Sequence, residues 1–435
     1  MSKRFLMSVF VCTIAMQSIF AQDQVRIQSV DKGDGKITIA VPSFPTDTAL
    51  AQYGPVLSQV MANDLDFTGL VNVVQSSDYP ASFQGLPTDP SKIKFNDWKG
   101  KAEYLVFGLL RQESSDSIVA ECRLFDIVVA QDVIGKRLVT KNQWYRLLAH
   151  QFADESIRHL TGVPGVASSE MVFSGKKGKP KEIYISDYDG GNLKQITHHN
   201  SISIKPKFSP DGTKVAYMSY KDRYPFIYIY DRNSGKSVPF STHVGLNSAP
   251  AWAPNGNSLA LCLSKDGNTE IYTKNLDGTG LRRLTRERGS DTSPVFSPDG
   301  RKIAFVSDRS GRPQIYMMNT DGSGIARLSY QGGSAYDPAW SPDGRKIAYV
   351  VEKNGEGFEL YVMNSDGTGA RPYTSSRGYN ESPSWAPDSR HVIFASSRQG
   401  VKQLHTVTLE TGVVRRVGGL NHLICEGPSW GPRRY

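Results

Sequence analysis

The sequence contains few residue arrangements that could support catalysis or hold a metal ion. Gly-x-Ser-x-Gly, His-Glu-x-x-His and Cys-x-x-Cys, which would indicate a nucleophilic serine, a zinc protease and a metal or redox site, do not occur. His198 and His199 are adjacent, but neighbouring residues of an extended segment point to opposite faces, so they are unsuited to one shared ion. We therefore expect no catalytic residue, no metal and no cofactor.

Four acidic segments resemble the start of a calcium-binding loop. They share an Asx-x-Asp-Gly sequence and occupy residues 187–190, 275–278, 319–322 and 364–367. None is followed at the proper spacing by the bidentate Glu that completes such a loop. Asx side chains that hydrogen-bond within their own turn explain the pattern better, so these segments are predicted to be hairpin turns.

These turns belong to a repeat that fills the second half of the chain. The phrase Pro-x-[Phe/Trp]-[Ser/Ala/Gly]-Pro occurs six times at spacings of 44, 44, 44, 45 and 45 residues. Its copies begin at Pro206, Pro250, Pro294, Pro338, Pro383 and Pro428. Four short strands and tight turns in a period of this size are typical of a β-propeller blade.

The order of the repeat units predicts how the propeller closes. The series begins with an outer half-unit, residues 171–197, and ends with an inner strand, residues 428–435. These fragments complement each other, and pairing them would remove the exposed strand edges of an open array. We therefore predict a six-bladed propeller over residues 166–435, closed by the C-terminal strand.

The start of the chain has the features of an export signal. Lys3 and Arg4 precede a mostly apolar run, residues 5–20, and Ala21 ends it. Residues 1–21 are thus predicted to be a signal peptide cleaved near Ala21, so the mature chain should be exported without direct membrane insertion. The net charge of +9 is modest and not clustered, so nucleic acid is not an expected partner.

Residues 35–165 lack the repeat and have the pattern of a smaller mixed α/β domain with a linker. Strands are predicted at residues 36–42, 70–74, 104–110, 117–128 and 134–138, and helices at 48–66 and 142–160, with Trp144 facing inward. Cys122 and Cys262 are expected to be buried thiols, whereas a pair involving Cys425 is left open. Residues 22–34 are either a frayed tail or an extended strand offered to a partner.

The propeller should present two unlike faces. The Asp-Gly hairpins of one face are nearly uniform, whereas the crossovers on the other face vary, and variation on a rigid scaffold is where recognition usually resides. Small, polar and aromatic residues of these crossovers precede the landmark prolines and would suit an inserted polypeptide, although ordinary loop composition also explains each one. The candidates at this mouth are Asp291, Tyr336, Asp337, Glu381 and Ser382.

Taken together, the chain resembles the TolB family of periplasmic propeller proteins of the Tol-Pal system. The resemblance rests on the export signal, Gln24-Val-Arg-Ile27, residues 39–44 (Ile-Ala-Val-Pro-Ser-Phe), residues 160–165 (Leu-Thr-Gly-Val-Pro-Gly) and the six repeats, in that order. It implies a monomeric, non-enzymatic scaffold that supports outer-membrane integrity and envelope constriction in cell division. A periplasmic propeller enzyme or a carbohydrate-binding propeller is the alternative.

The resemblance also implies two partners and their sites. A Pal-like peptidoglycan-associated lipoprotein would bind the propeller mouth, where His243, Ala249 and Thr292 match the family's mouth segments. A TolA-like inner-membrane protein would bind the extended N-terminal segment, residues 22–34. Its expected contact residues are Gln22, Asp23, Gln24, Val25, Arg26 and Ile27.

Overall fold

The computed structural model of the chain describes residues 35–178, 180–353, 355, 357–375 and 378–434. The predicted signal peptide, residues 1–21, and the predicted partner-binding residues Gln22 to Ile27 lie outside this range. Among the described residues, no helix is both long enough and apolar enough to cross a membrane.

The first part of the described chain is an α/β unit built on one five-stranded sheet. Its strand order is β2-β1-β3-β4-β5, with β1 parallel to both of its neighbours and the remaining pairs antiparallel. The strands are β1 Ile37–Ala40, β2 Val71–Val73, β3 Tyr104–Gln112, β4 Ser117–Asp126 and β5 Gln131–Lys141. All five predicted strands are therefore present, with small shifts at their ends.

Three α-helices accompany this sheet: α1 Tyr53–Phe67, α2 Phe95–Trp98 and α3 Tyr145–Thr161. Helix α3 ends where Gly162 takes a left-handed conformation, φ 80°, and donates its N–H to the Arg158 carbonyl at 2.8 Å. The prediction that Trp144 faces inward was wrong, since its side chain is 39 % exposed. Trp144 ends a 3₁₀ turn before α3, so the α-helical period does not set its direction.

The remaining strands form four four-stranded sheets and one eight-stranded sheet. Their orders are β29-β6-β7-β8, β12-β11-β10-β9, β13 to β16, β17 to β20, and β21-β22-β23-β25-β26-β27-β28 with β24 beside β23. The ranges are β6 Ser169–Lys176, β7 Lys181–Asp187, β8 Lys194–Gln195, β9 Ser203–Phe208, β10 Lys214–Ser219, β11 Phe226–Asp231, β12 Lys236–Ser241, β13 Asn247–Trp252, β14 Ser258–Leu263, β15 Glu270–Asn275, β16 Arg282–Arg283, β17 Asp291–Phe296, β18 Lys302–Ser307, β19 Gln314–Asn319, β20 Ala326–Arg327, β21 Ala335–Trp340, β22 Lys346–Lys353, β23 Gly357–Asn364, β24 Arg371–Pro372, β25 Gly378–Trp385, β26 His391–Ser396, β27 Gln403–Thr408, β28 Val414–Arg416 and β29 Ile424–Arg433.

This pairing does not confirm the predicted count of six separate blades. The eight-stranded sheet arises because β23 pairs antiparallel with β24 and also parallel with β25, through Gly357–Gly378 and Phe358–Tyr379. The two backbones approach so closely that a Cβ atom on Gly357 would lie 2.2 Å from the Gly378 carbonyl oxygen. Glycine therefore permits the contact that joins these two sets of strands.

The last strand returns to the first sheet of the propeller region. Strand β29 pairs antiparallel with β6, and its register places Cys425 opposite Gly175, Trp430 opposite Met171 and Arg433 opposite Ser169. The inner position of this sheet is thus filled by the C-terminal end of the chain.

A shared hydrophobic core joins the α/β unit to this sheet and to its neighbour. Leu65 of α1 and Phe152 of α3 belong to the same buried cluster as Met171 of β6 and Trp430 of β29. Cys122, Cys262 and Cys425 are buried free thiols, so the pair involving Cys425 that the sequence left open does not form.

Candidate functional site

Six inner strands surround the propeller channel, and each is interrupted at the residue before its landmark proline. The register of β9, β13, β17, β21, β25 and β29 shifts at this point, which marks a β-bulge in each strand. The six residues share a left-handed backbone with φ between 49° and 56°: Lys205, Ala249, Ser293, Asp337, Ser382 and Gly427. Only one of them is glycine, so the fold holds five side chains in a conformation that costs about 1–2 kcal/mol each.

These six residues, named here the mouth ring, line a cavity of about 300 Å³ in the channel. Four tryptophans and the landmark prolines supply most of its apolar wall. The indole of Trp252 donates to the Lys207 carbonyl at 3.1 Å, and that of Trp385 donates to the Ala339 carbonyl at 2.9 Å. The rings are thereby fixed by bonds to neighbouring strands, which gives the cavity a preformed shape.

Three predicted mouth residues line this cavity: Ala249, Asp337 and Ser382. The Ser382 hydroxyl donates to Asp337 Oδ2 at 3.1 Å, which joins two adjacent members of the mouth ring. In an activated serine nucleophile, the hydroxyl donates to a histidine or lysine base. The Ser382 hydroxyl donates to a carboxylate instead, so this pair lacks that arrangement.

Three further predicted residues, Thr292, Tyr336 and Glu381, each precede a mouth-ring residue and are partly exposed. The Tyr336 ring lies edge-on to Phe358, with 5.8 Å between ring centroids, and the Glu381 carboxylate accepts from the Lys402 ammonium at 2.6 Å. These side chains are outside the cavity wall. They could be contacted by a partner that covers the mouth.

His243 and Asp291 are less suited to direct contact. His243 is partly exposed in the crossover before β13, where Asn247 bonds to its backbone N–H and carbonyl. Burial lowers the pKa of His243, and Lys274 and Lys265 lower it further, which favours the neutral ring. Asp291 is fully buried and pairs with Arg309 at 2.8 Å, so its carboxylate is not exposed at the mouth.

Two lysines of the channel were not predicted from the sequence. Lys205 belongs to the mouth ring, and Lys207 lies at the variable position of the first Pro-x-Phe phrase. That position faces the channel in all six copies, where the other five side chains are Ala251, Val295, Ala339, Ser384 and Ser429. A charged residue at one copy of an otherwise small or apolar position was the available signal.

The rim around the mouth exposes several large apolar side chains. Tyr224 is 62 % exposed, Val244 88 %, Tyr379 49 % and Val401 52 %, and all four lie in the variable loops and crossovers of this face. Large apolar side chains exposed on one face are a common feature of protein interaction sites.

A second polar cluster lies where α1 and α3 meet the first propeller sheet. His150 Nδ1 is 2.8 Å from Asp64 Oδ2, its Nε2 is 3.7 Å from Asp187 Oδ2, and the Tyr188 hydroxyl donates to Asp64 at 2.7 Å. Arg434 donates to Asp187 at 2.7 Å. These groups are named here the interdomain network.

The interdomain network contains a set of possible metal ligands, since ligand atoms of His150, Asp187 and Asp189 lie within 4.8 Å of one another. The carboxylates are already neutralised, however, because Arg146 pairs with Asp189 and with Asp187, and Arg434 pairs with Asp187. Two guanidinium groups beside a divalent cation would repel it, so these residues do not fit a metal site.

Burial disfavours the charged form of His150, but Asp64 and Asp187 outweigh this effect and raise its pKa to about 10. Burial likewise acts against the Asp187 carboxylate, yet His150 and Arg434 lower its pKa to about 2. His150, Asp187 and the arginines are therefore paired charges at neutral pH, whereas burial raises the pKa of Asp64 although His150 and Tyr188 act to lower it. The chemistry of the network suits holding two parts of the protein together.

Two family models match the sequence. Residues 157–434 match the TolB beta propeller domain, and residues 25–133 match the TolB amino-terminal domain. Two curated relatives are each described as "Tol-Pal system protein TolB". The one from Nitrosomonas europaea is 32 % identical over 224 residues and the one from Ruegeria sp. 33 % over 216 residues. The alignments cover 51 % and 48 % of both chains, so this chain spans about half the length of the curated relatives it matches.

Among solved structures, the chain is similar to TolB from Acinetobacter baumannii. The TM-score is 0.80 at 26 % identity, covering 92 % of this chain and 97 % of the other. A nidogen/laminin complex matches 61 % of this chain with a TM-score of 0.51 and 11 % identity, which shows a shared fold alone.

Proposed function

This chain belongs to the TolB family, and we propose that it is a non-enzymatic periplasmic scaffold of the Tol-Pal system. In this proposal a Pal-like peptidoglycan-associated lipoprotein binds the propeller mouth, and a TolA-like inner-membrane protein binds residues 22–34. The protein acts as a monomer that supports outer-membrane integrity and envelope constriction. The observation that carries the proposal is a preformed cavity in the channel, next to large apolar side chains exposed on the face where loops vary.

We infer that the propeller has six blades over residues 166–435, following the α/β domain of residues 35–165. Support comes from the six inner strands, each with the same bulge and the same left-handed residue. Strands β21 and β25 both lie in the eight-stranded sheet, which on this interpretation is two blades joined at Gly357 and Gly378.

A scaffold role is favoured over catalysis by the channel's side chains. Asp337 is the one carboxylate that lines the cavity among the described residues, so the paired carboxylates of a glycosidase or lyase site are not assembled there. Ser382, which is bonded to Asp337, lies beside neither a histidine nor a second acid in the cavity lining.

The test is the binding of the lipoprotein to mouth variants. The mature protein should recover a peptidoglycan-associated lipoprotein from solubilised envelopes, and calorimetry with that lipoprotein's soluble domain should give the affinity. Ala249→Arg fills the cavity entrance and Thr292→Arg changes the rim, so each should weaken binding roughly tenfold or more. Asn257→Arg is the control, because Asn257 is exposed in a hairpin turn at the opposite end of β13 and β14.

The proposal is wrong if the lipoprotein is not recovered. It is also wrong if both mouth variants bind as tightly as Asn257→Arg and the unmodified protein. A glycan recovered in place of a lipoprotein would favour the alternative, a carbohydrate-binding propeller.

A further inference from the structure

Two lysines line the cavity, and neither ammonium group has a carboxylate of the described residues within 4 Å. Lys205 is exposed, whereas Lys207 is partly buried. Its backbone carbonyl accepts from Trp252, but its side chain makes no hydrogen bond to the described residues. Most partly buried lysines and arginines of this protein are paired, as Lys402 and Arg309 are.

The surroundings of Lys207 make this charge costly unless an anion joins it. Phe208 and Trp252 line the same cavity, and Pro206, which has no N–H, precedes Lys207. Burial lowers the pKa of Lys207, Asp337 raises it and Lys205 lowers it. A charge surrounded by apolar side chains interacts with an entering counter-charge more strongly than a charge in open water does.

The net charge of the cavity indicates which anion it would accept. Lys205, Lys207 and Asp337 are the charged residues of the lining, so the cavity carries two positive charges and one negative charge. A single carboxylate would neutralise the remaining charge. A phosphate dianion would leave an excess negative charge between apolar walls and close to Asp337, which is unfavourable.

We propose that the channel binds one acidic side chain of the partner polypeptide, whose carboxylate enters through the mouth ring and pairs with Lys207. Hydroxyl groups at the same level, from Ser384 and Ser429, are available to the second carboxylate oxygen. This inference rests on the proposed function, because it names the group by which a partner at the mouth is recognised. Lys207 then determines specificity for acidic over neutral residues.

The first experiment measures the affinity of the lipoprotein's soluble domain for Lys207→Met, Lys207→Arg and the control Lys194→Met. Lys194 is exposed on β8, away from the channel. Loss of a charge-assisted bond should weaken binding by Lys207→Met roughly tenfold or more, whereas Lys207→Arg should retain most of the affinity and Lys194→Met all of it. Unchanged melting temperatures show that the variants are folded, and Lys207→Gln replaces Lys207→Met if the latter does not fold.

A double-mutant cycle then identifies the acidic residue. Each acidic residue on the lipoprotein's binding surface is changed to its amide, and one of these changes should weaken binding to the unmodified protein but not to Lys207→Met. The inference is overturned if Lys207→Met binds the lipoprotein as tightly as the unmodified protein does. It is also overturned if every amide change weakens binding to Lys207→Met as much as it weakens binding to the unmodified protein.

A peptide titration separates failure of this inference from failure of the proposed function. The probe is a short Gly/Ser peptide, acetylated and amidated at its ends, with a single central glutamate, and the signal is the fluorescence of the cavity tryptophans. The glutamate peptide should change the signal, and its glutamine counterpart and Lys207→Met should show no change. If the lipoprotein does not bind but the glutamate peptide does, the proposed partner is wrong and the channel site stands.

A third peptide has a central glutamine and a free C-terminal carboxylate. If it binds and the amidated glutamate peptide does not, the channel recognises a chain end and the proposal of an acidic side chain is overturned. Equal signals from the glutamate and glutamine peptides overturn it as well.

Discussion

The propeller channel and the interdomain network both concentrate charge, but in opposite ways. In the channel, the charges are few, partly exposed and incompletely paired, and they occupy positions that recur in all six inner strands. In the interdomain network, His150, Asp64 and Asp187 are buried, and the two carboxylates are paired with groups from other parts of the chain. The network therefore joins the α/β unit to the first propeller sheet, whereas the channel keeps charged groups unpaired, as the proposed partner site requires.

One position of the repeated hairpin turns differs in the sheet that contacts the α/β unit. Asn275, Asn319 and Asn364 each donate to a hydroxyl within their own turn, at 2.8–3.1 Å. The equivalent residue of the first sheet is Asp187, which accepts from Asn192 within its turn and from Arg434, both at 2.7 Å. Asp187 also lies within 4 Å of Arg146 and His150, so this departure from the repeat marks a residue that contacts the α/β unit.

The largest effect is expected from deleting residues 427–435. This change removes most of β29, its pairing with β6, and the Arg434 contacts with Glu170 and Asp187. The network and the channel wall would be lost together, so the deletion should abolish cooperative unfolding or lower the melting temperature sharply. Circular dichroism during heating measures this, and an unchanged melting temperature would show that β29 does not close the ring.

The next largest effect should come from Asp187→Asn. Asparagine occupies the same position in three other turns, so the turn should persist while His150 and Arg434 lose a buried counter-charge. We expect the free energy of unfolding to fall by about 3 kcal/mol. The matched control is Asn275→Asp, which adds a carboxylate to an exposed turn and should change stability by less than about 0.5 kcal/mol. Urea unfolding distinguishes the two, and equal effects would contradict a special role for the network.

The free energy of unfolding should depend on pH through His150 and Asp187, because the pKa of each changes on folding. The pKa of His150 rises from 6.5 to about 10 on folding, so its contribution is complete below pH 6.5 and is lost as the pH rises through 10. The pKa of Asp187 falls from 3.8 to about 2, so its contribution is complete above pH 3.8 and is lost as the pH falls through 2. The measurement is the free energy of unfolding between pH 6 and pH 10 for the unmodified protein and His150→Gln. The variant should lose less stability over this range, and equal slopes would show that His150 is not held protonated.

The smallest effect should come from the backbone of the mouth ring. Ala249 and Gly427 have nearly the same left-handed φ, 49° and 56°, and a Cβ atom on Gly427 would have no neighbour closer than 3.9 Å. Ala249→Gly should therefore stabilise the protein, and Gly427→Ala should destabilise it, each by about 1 kcal/mol. Differential scanning calorimetry of the two variants tests this, and shifts of the same sign would mean that backbone strain is not the cause.

Much of the fold could be predicted because its signals are local. Alternating apolar residues and Asp-Gly turns indicate strands and hairpins wherever they occur, and the unequal ends of the repeat predicted the strand that pairs with β6. The joining of β23 to β25 could not be predicted, since it depends on how closely two distant backbones approach at Gly357 and Gly378.

The site was predicted less completely. Asp291 and Thr292 were both assigned to the mouth, but the bulge at Ser293 interrupts the alternation that would show which side chains face the channel. Asp291 instead pairs with Arg309 in the turn after β18. The network joins residues 64, 150, 187 and 434, whose separation in the sequence hides their contact.

The most direct test of the central claim is amide hydrogen exchange of the mature protein with and without the soluble domain of the Pal-like lipoprotein. We predict slower exchange on binding in the crossovers that surround the mouth, residues 243–249, 289–293, 333–337 and 378–382. The hairpin turns of the opposite face, residues 253–257 and 297–301, should be unchanged. Protection of those turns or of the α/β domain, with no change in the crossovers, would contradict a partner site at the propeller mouth.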